Sequence, residues 1–555
     1  MASQASIRAY LDQAYLLGLM MMAVGLTLSP FLMGMANFWL VLVWVVDGFT
    51  DSRHCGLDPQ SPKRMETTQR MGDGGSLSAM TDRGFKAKLS RFWGNKAAVL
   101  LAAFYLMHVV GLLWTSDFQY AMRDLRVKLP ILVLPFVMSS KAPLDRKRFD
   151  LLMLVYVLSV FVATLFSFSL YVRHDYENVR EISRFISHIR FCLNIVFCIA
   201  VIGYGLVARR SPWWGKAVQV VLLLWFVYQI HIFESLSGYV ALAAVAVVSA
   251  VYAFLRWKTG KVWRVVMAVS AVAVMVVGAL VVGQQIRPLL KVEPLDFSTL
   301  EKTTAQGNPY WHDTVCHPVE DGKYVGLYYC KPEMQEAWAL RSDLPFDGAT
   351  LNGANLEATL ARYLTSKDLR KDAEGVMSLT DEDVSNVENG VANYNNWRHP
   401  GLRARLSVTV FEYNLYRKAG NPNGGSVSQR IEFTRASLHI IKQHPWFGVG
   451  TGDVPQAFRA AYDEIHSPLR KEFRFRAHNE YLAIAVAFGL VGLAFFLFVL
   501  LYPCLTSRGN RTYLYLVFLA IMVLSMLPED TLETQAGVSL FAFFSSVLLF
   551  AYPER

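Results

Sequence analysis

A histidine flanked by arginines stands at the start of a long apolar stretch in the segment RFRAHNEYLAIAVAFGLVGL, residues 474–493. Ionisable side chains are costly at the mouth of a membrane helix, so a group of them there points to a use. Guanidinium groups bind phosphate oxygens, and an imidazole, with an ordinary pKa of about 6.5, can accept a proton near neutral pH. His478, Arg474 and Arg476 therefore indicate acid–base chemistry on an anionic substrate.

The composition predicts that this chemistry takes place at a membrane. Of the 555 residues, 54% are hydrophobic and only 18% are charged, which is less charge than a soluble chain carries. The apolar residues form blocks of about 20 residues, long enough to cross a hydrocarbon core as helix. We predict an all-α polytopic membrane protein with about twelve transmembrane helices, at 10–28, 30–48, 97–114, 126–139, 149–171, 190–208, 215–232, 238–256, 263–283, 478–502, 512–528 and 535–552.

The distribution of Lys and Arg predicts the orientation of these spans. Basic residues concentrate in alternate short loops, which by the positive-inside rule places both termini in the cytoplasm. The large loop 284–477, between the ninth and tenth spans, then lies outside the cytoplasm, which in a bacterium is the periplasm. The net charge of +10 follows from this topology and gives no reason to expect a nucleic-acid partner. The span at 126–139 is short and contains Pro130 and Pro135, so it is expected to be broken or re-entrant.

Three parts are predicted along the chain: an N-terminal transmembrane bundle (1–283), a mainly helical periplasmic loop domain (284–477) and a C-terminal three-helix transmembrane part (478–555). A polar insertion near 51–96, rich in turn residues, is expected to be disordered and cytoplasmic. Cys316 and Cys330 lie in the large loop, where they either form a disulfide or remain free thiols. No set of His and Cys residues has zinc-site spacing, so no metal is predicted.

Two motifs in the loop invite a functional interpretation. Ser426 and Gln429 have the spacing of a capping box, which predicts a helix that starts there and ends at His444-Pro445. Arg430 would then lie in the first turn, where a phosphate oxygen is easily held, although taken alone an arginine there is more often a surface residue. The sequence GVGTGD lacks the Lys-Ser/Thr of a phosphate-binding loop, so we predict a glycine-rich turn packed near the membrane.

Further ionisable groups are predicted at the same membrane face. His188 and Arg190 stand at the outer end of the sixth span, and Glu529 and Asp530 lie between the last two. The loop segment 398–477 has more bases than acids. Its positive surface suits an anionic lipid headgroup or a diphosphate, or is a solvated basic face against ordinary phospholipid. Several such groups at one face indicate a functional site.

The order and spacing of these motifs resemble the O-antigen ligase/polymerase superfamily of bacterial membrane glycosyltransferases. The matching features are a dozen spans, a large loop before the last three, Arg190 in HIRFCLNI, Arg430 ahead of HPWFGVGTGD, and AHNEYL followed by FGLVGL. The segments TLARYLTSKDLRKDAEGVMSLT and PEDTLETQAG are similar to the Bacteroidetes-type branch. One departure is Thr434, where many members of the family carry tryptophan.

The resemblance implies a cofactor-free, metal-independent transfer of an oligo- or polysaccharide from undecaprenyl diphosphate to an acceptor sugar such as lipid A-core. Carried over by motif, Arg190 and Arg430 would bind the diphosphate, and His478 would be the general base for the acceptor hydroxyl. The alternative for His478 is a structural role at a helix end. Further substrate-binding candidates at this face are Arg474, Arg476, Arg435, Arg184, His188, Tyr481, Glu529 and Asp530.

The acceptor is not readable from the sequence. A ligase acting on lipid A-core, a repeat-unit polymerase and a protein O-oligosaccharyltransferase would share donor and fold. A transporter or flippase for lipid-linked sugars belongs to a different class, and it would be expected to show an internal repeat and charges near the membrane midplane. Here the charges gather at one face, which favours the enzyme.

Overall fold

The protein is almost entirely helical in the parts that the structure describes. This computed structural model describes residues 2–52, 84–173, 179–256, 282–292, 295–316, 318–506 and 512–552, with isolated positions from 269 to 280. The helices before the large loop are α1 (Ala2–Leu28), α2 (Pro30–Ser52), α3 (Phe85–Gly94), α4 (Lys96–Val110), α5 (Phe118–Lys128), α6 (Pro130–Ser139), α7 (Arg146–Arg173), α8 (His188–Ala208), α9 (Trp213–Ile232) and α10 (Leu236–Arg256).

The large loop contributes further helices and a small antiparallel hairpin, β1 (Val319–Glu320) with β2 (Lys323–Tyr324). Its helices are α11 (Lys331–Ala339), α12 (Leu356–Ser366), α13 (Ala373–Met377), α14 (Asp381–Glu388), α15 (Tyr394–Arg398), α16 (Leu402–Ala419), α17 (Ser426–Gln443) and α18 (Val454–Glu464). The chain then returns to apolar helices: α19 (Glu480–Thr506), α20 (Tyr513–Ser525) and α21 (Gln535–Phe550).

The polytopic helical architecture is confirmed, whereas the number of spans is not. Among the described residues, eight helices are long and apolar enough to cross a membrane: α1, α2, α4 with the turn after it, α7, α8, α9, α10 and α19. The apolar helices α20 and α21 are shorter. The ninth predicted span, 263–283, falls largely outside the described residues.

The predicted span at 126–139 is divided between two helices. α5 ends at Lys128 and α6 begins at Pro130, which occupies the first helical position that proline favours. Ten residues of α6 extend only about 15 Å, half of a hydrocarbon core. α6 packs against α4 and α21. The polar helix α5 therefore ends inside the protein, and it carries Lys128 with it.

The predicted disorder of the insertion 51–96 is wrong for its last part. α3 is amphipathic and buries Lys88 and Phe92. The Lys88 ammonium lies 2.9 Å from the Asp47 carboxylate and donates to the Trp44 carbonyl at 2.8 Å. These contacts hold α3 to the end of α2. Residues 53–83 of the insertion lie outside the described residues.

The large loop has two differently packed parts. Trp338 and Tyr363 belong to a separate apolar core formed by residues 334–387. Phe433 of α17 and Phe458 of α18 instead join the core of the membrane helices. The basic half of the loop is therefore the half that is built onto the bundle.

The two loop cysteines are free thiols in this structure, so the disulfide considered for them is not formed. Cys330 is buried at the N-cap position of α11. Cys316 is half-buried in a turn held by the Asp313 carboxylate, which accepts from the Cys316 N–H at 2.8 Å. Each cysteine is thus held by its own local structure.

α19 is broken at Gly489, which was not predicted from the sequence, and the predicted glycine-rich turn before α18 packs against this break. Gly489 has φ 67° and ψ −168°, a conformation open almost only to glycine. The carbonyls of Val486 and Ala487 accept from the N–H groups of Val449 and Gly450 at 3.0 and 2.9 Å. The irregular backbone is thereby hydrogen-bonded, which is necessary at membrane depth.

We predict that Gly489→Ala destabilises the protein by at least about 1–3 kcal/mol from the backbone conformation alone. A Cβ at Gly489 would also lie 2.2 Å from the Trp446 carbonyl carbon. Thermal unfolding in detergent measures the effect. Gly203→Ala is the matched control, since Gly203 lies in membrane helix α8 with nothing within 4 Å of a new Cβ. Equal unfolding temperatures for the two variants would contradict the prediction.

Candidate functional site

The His-Asn-Glu segment fastens the start of α19 to the loop that precedes α21. The Asn479 side chain accepts from the Leu482 N–H at 3.0 Å, so it caps the helix, and it donates to the Leu527 carbonyl at 2.8 Å. The buried Glu480 carboxylate accepts from the Leu532 N–H at 2.7 Å. Asn479 and Glu480 therefore hold this helix end in place, and His478 is available for another role.

His478 is held in an unusual conformation beside two carboxylates. Its φ of 44° lies in the left-handed region, which non-glycine residues adopt at a cost and often at functional positions. Its ring stacks on Phe433, with centroids 5.3 Å apart. Nδ1 lies 3.9 Å from Glu529 and 3.8 Å from Asp530, too far for hydrogen bonds but close enough for strong attraction of a charged imidazole.

Arg430 reaches the same acidic loop from α17. It donates to the Glu529 carboxylate at 2.9 Å and to the Pro528 carbonyl at 3.2 Å. The helix begins at Ser426 and ends at Gln443 as predicted, but Gly425 occupies the N-cap position and makes no side-chain cap. The expected capping box and first-turn position are therefore wrong. Arg430 is the fifth residue of the helix, just past the first turn, where the backbone N–H groups already have helical partners.

Arg476 contacts a buried cluster of acidic and basic side chains. It donates to Glu533 and, at 2.7 Å, to the Tyr120 hydroxyl. The other Glu533 oxygen accepts from the Lys128 ammonium at 2.8 Å, and Lys128 also pairs with Asp124. Lys128 is only 1% exposed. This chain of ion pairs connects α5, the segment before α19 and the loop before α21.

Sequence reasoning missed the members of this cluster on α5, although a signal was present. Tyr120, Asp124 and Lys128 recur every four residues, so they lie along one face of a helix. The carboxylate Glu533 is 405 residues away from Lys128 in sequence, and no spacing rule joins them.

The acidic loop residues differ in their ionisation. Burial raises the pKa of Asp530, and the neighbouring Glu529 and Glu533 raise it further. His478 and Arg476 lower this pKa, but by less than the other effects raise it. Burial also acts on Glu529, but His478, Arg430 and Arg190 outweigh it and hold the pKa of Glu529 below its usual range. In Glu533 likewise, Lys128 and Arg476 overcome burial and lower the pKa. Ionised carboxylates at Glu529 and Glu533 thus balance the surrounding cations.

These groups line an open cleft of about 640 Å³ between the membrane helices and the returning loop. The lining residues come from α5, α8, α18, the segment before α19 and the loop before α21: Tyr120, Arg190, Pro455, Phe458, Arg459, Arg474, Phe475, Arg476, His478, Glu529, Asp530 and Thr534. The structure thereby brings together six of the predicted residues around one space. Arg430 stands behind Glu529.

Other predicted residues do not line this cleft. The Arg435 guanidinium pairs with Glu432 at 2.6 Å on its own helix. The Tyr481 hydroxyl donates to the Val523 carbonyl at 2.8 Å among the membrane helices. His188 begins α8 and Arg184 precedes it, but neither is among the lining residues.

His478, Glu529 and Asp530 have ligand atoms within 4.8 Å of one another, so distance alone would permit a divalent cation. The surrounding charges disfavour one. Glu529 already pairs with Arg430, and Arg476 lies 3.9 Å from Asp530. A cation would have to compete with these guanidinium groups for the same oxygens.

An assembly of apolar helices with a charged cleft at one end of α19 defines a multi-pass membrane protein with a polar site at one face. Residues 404–497 match the family model described as O-Antigen ligase. The match confirms the resemblance to the O-antigen ligase family over this segment of 94 residues. The matched segment includes Arg430, the glycine-rich turn and His478. No curated protein gives a significant match to the chain.

Proposed function

We propose that the protein transfers an O-antigen-like glycan from undecaprenyl diphosphate to an acceptor such as lipid A-core, at the periplasmic face of the bacterial inner membrane. The family match supports the reaction type. The observation that carries the proposal is the cleft itself, in which His478 lies beside two carboxylates and a group of arginines. The reaction class requires a base for a hydroxyl and cations for a departing diphosphate.

In the proposed reaction, His478 removes the proton from the acceptor hydroxyl as its oxygen bonds to the anomeric carbon of the donor glycan. The bond from that carbon to the diphosphate oxygen breaks, and undecaprenyl diphosphate leaves with the electron pair. Because Nδ1 faces Glu529 and Asp530, we assign the hydrogen to Nδ1 and base function to Nε2. The ionised Glu529 then stabilises the imidazolium that forms.

The arginines would neutralise the charge that grows on the leaving diphosphate. Guanidinium donors bind phosphate oxygens through paired, charge-assisted hydrogen bonds, and they act most strongly when water is excluded. Arg190 and Arg476 line the cleft, and Arg430 reaches its edge through Glu529. In this proposal no metal ion is needed, because the cations are supplied by side chains.

Deletion of the gene in its native bacterium, followed by complementation, tests this function. We expect the mutant to make lipopolysaccharide with an uncapped core and to accumulate polysaccharide on its lipid carrier. The wild-type gene should restore capping. Membranes from the complemented strain should also carry out capping after treatment with EDTA. Single-repeat caps would indicate a polymerase, and loss of glycoprotein alone would indicate an oligosaccharyltransferase. Donor retained at the cytoplasmic face would overturn the proposal in favour of a transporter.

A further inference from the structure

The arginines around the cleft differ in whether a carboxylate already neutralises them. Arg430 pairs with Glu529 at 2.9 Å, and Arg474 pairs with Asp463. Arg476 pairs with Glu533 and lies 3.9 Å from Asp530. A guanidinium that is already paired attracts a new anion less, because the anion must share or displace the existing carboxylate.

Two cleft arginines make no ion pair or side-chain hydrogen bond with any residue that the structure describes: Arg190 and Arg459. The Nε of Arg190 is buried and lacks a hydrogen-bond partner among those residues. A buried donor without a partner is costly, so it is a natural place for a ligand oxygen. Arg459 is exposed at the rim of the same cleft.

Arg459 is carried on a firmly placed helix. On α18, Phe458 and Arg459 lie three and four residues after Pro455, so the three side chains share one face of the helix. All three line the cleft. The helix start is fixed because the Asp453 carboxylate accepts from the N–H groups of Ser116 and Asp117 at 2.9 and 2.8 Å. Phe458 is buried in the apolar core formed with the membrane helices. Arg459 is therefore presented to the cleft by a supported scaffold.

We infer that Arg459 is a ligand-binding residue of the cleft and that, with Arg190, it binds the two phosphates of a diphosphate. Arg190 takes the inner phosphate through its unpartnered donor, and Arg459 takes the outer phosphate at the rim. The identity of the natural diphosphate as a lipid carrier rests on the proposed function, whereas the assignment of Arg459 to a diphosphate does not.

Binding of two probes to the purified full-length protein in detergent tests this inference. Inorganic pyrophosphate reports the diphosphate chemistry alone, and farnesyl diphosphate adds a short prenyl chain. We expect Arg459→Gln to weaken binding of both probes about tenfold or more, the loss expected for one charge-assisted contact, and Arg459→Lys to recover part of it. Titration by calorimetry gives the dissociation constants without any glycan transfer.

Arg403→Gln is the matched control. Arg403 is also an exposed helical arginine without an ion pair in the described residues, but it lies outside the cleft lining. The affinity of Arg403→Gln for both probes should stay within twofold of wild type.

Unchanged binding by Arg459→Gln, or equal losses in both variants, would overturn the inference. If only pyrophosphate binds, Arg459 still binds diphosphate but the lipid carrier is excluded. If the gene deletion leaves glycans unchanged while the Arg459 effect persists, the proposed function fails and this site stands.

Discussion

Replacing His478 should reduce glycan transfer by about 100- to 10,000-fold, the range that a positioned general base contributes. The reaction needs a group that takes the acceptor proton, and His478 is the one histidine among the residues lining the cleft. Membranes containing each variant, supplied with lipid-linked glycan and acceptor, measure the initial rate. Lipopolysaccharide from a complemented deletion strain provides the same comparison in cells.

The choice of substitution matters because the backbone at His478 is left-handed, with φ 44°. Asparagine tolerates this conformation better than alanine, so His478→Asn separates lost chemistry from lost folding. We expect His478→Ala and His478→Asn both to show this loss of transfer, and His478→Asn to reach the membrane in normal amounts. Asparagine also keeps a hydrogen-bonding side chain, so its failure would point to the missing base.

His439→Ala is a close control for this experiment. Its side chain is 32% exposed, against 33% for His478, and it too lies beside a carboxylate, 2.7 Å from Glu464. It belongs to α17 and does not line the cleft. Transfer should remain within a few-fold of wild type. A well-folded His478→Asn protein with normal activity would eliminate the general-base assignment.

Lys128→Met should destabilise the protein by about 3–5 kcal/mol, because removing one partner leaves buried charges uncompensated. Lys128 separates Asp124 from Glu533, which are 9% and 12% exposed in their side chains. Without it, both carboxylates would face each other in a buried space. Arg476 alone would hold Glu533, and its position in the cleft would loosen. We therefore expect transfer to fall further than the folded fraction does.

Lys88→Met removes a comparable buried cation away from the site. Lys88 is 2% exposed, pairs with Asp47 at 2.9 Å and is not among the residues that line the cleft. It should lower the unfolding temperature without lowering activity per folded molecule. Lys128→Arg, which keeps the charge, should recover part of the activity. Full activity per folded molecule in Lys128→Met would contradict a role of the cluster in positioning Arg476.

The acid stability of the same pair of variants gives a second readout. The pKa of Glu533 is lowered in the folded protein, so its stabilisation is present above the ordinary carboxylate pKa and is lost as the pH falls through the folded value. Removing Lys128 brings the folded pKa of Glu533 up towards, or above, the ordinary value. The loss of stability on acidification should then be smaller in Lys128→Met than in wild type, and Lys88→Met should keep the wild-type loss. Unfolding temperatures measured from pH 7 down to about pH 3 provide the test.

The sequence alone was sufficient for those features that depend on local patterns. The length of an apolar block decides whether it can cross a membrane as helix, so the polytopic architecture followed from composition and periodicity. The break near Pro130 and the end of α17 before Pro445 followed from the geometry of proline. His478, Arg190, Glu529 and Asp530 were predicted at one face because each stands at the end of an apolar block, and all four line the cleft.

The tertiary structure decided which charges neutralise one another. Arg430 meets Glu529, and Lys128 meets Glu533, across separations of 99 and 405 residues. Such pairs depend on how helices pack, and packing leaves no periodic signal in the sequence. The contrast between paired arginines and the unpaired Arg190 and Arg459 has the same origin. Local sequence thus placed the ionisable groups at one membrane face, and three-dimensional packing determined which of them remain available to a substrate.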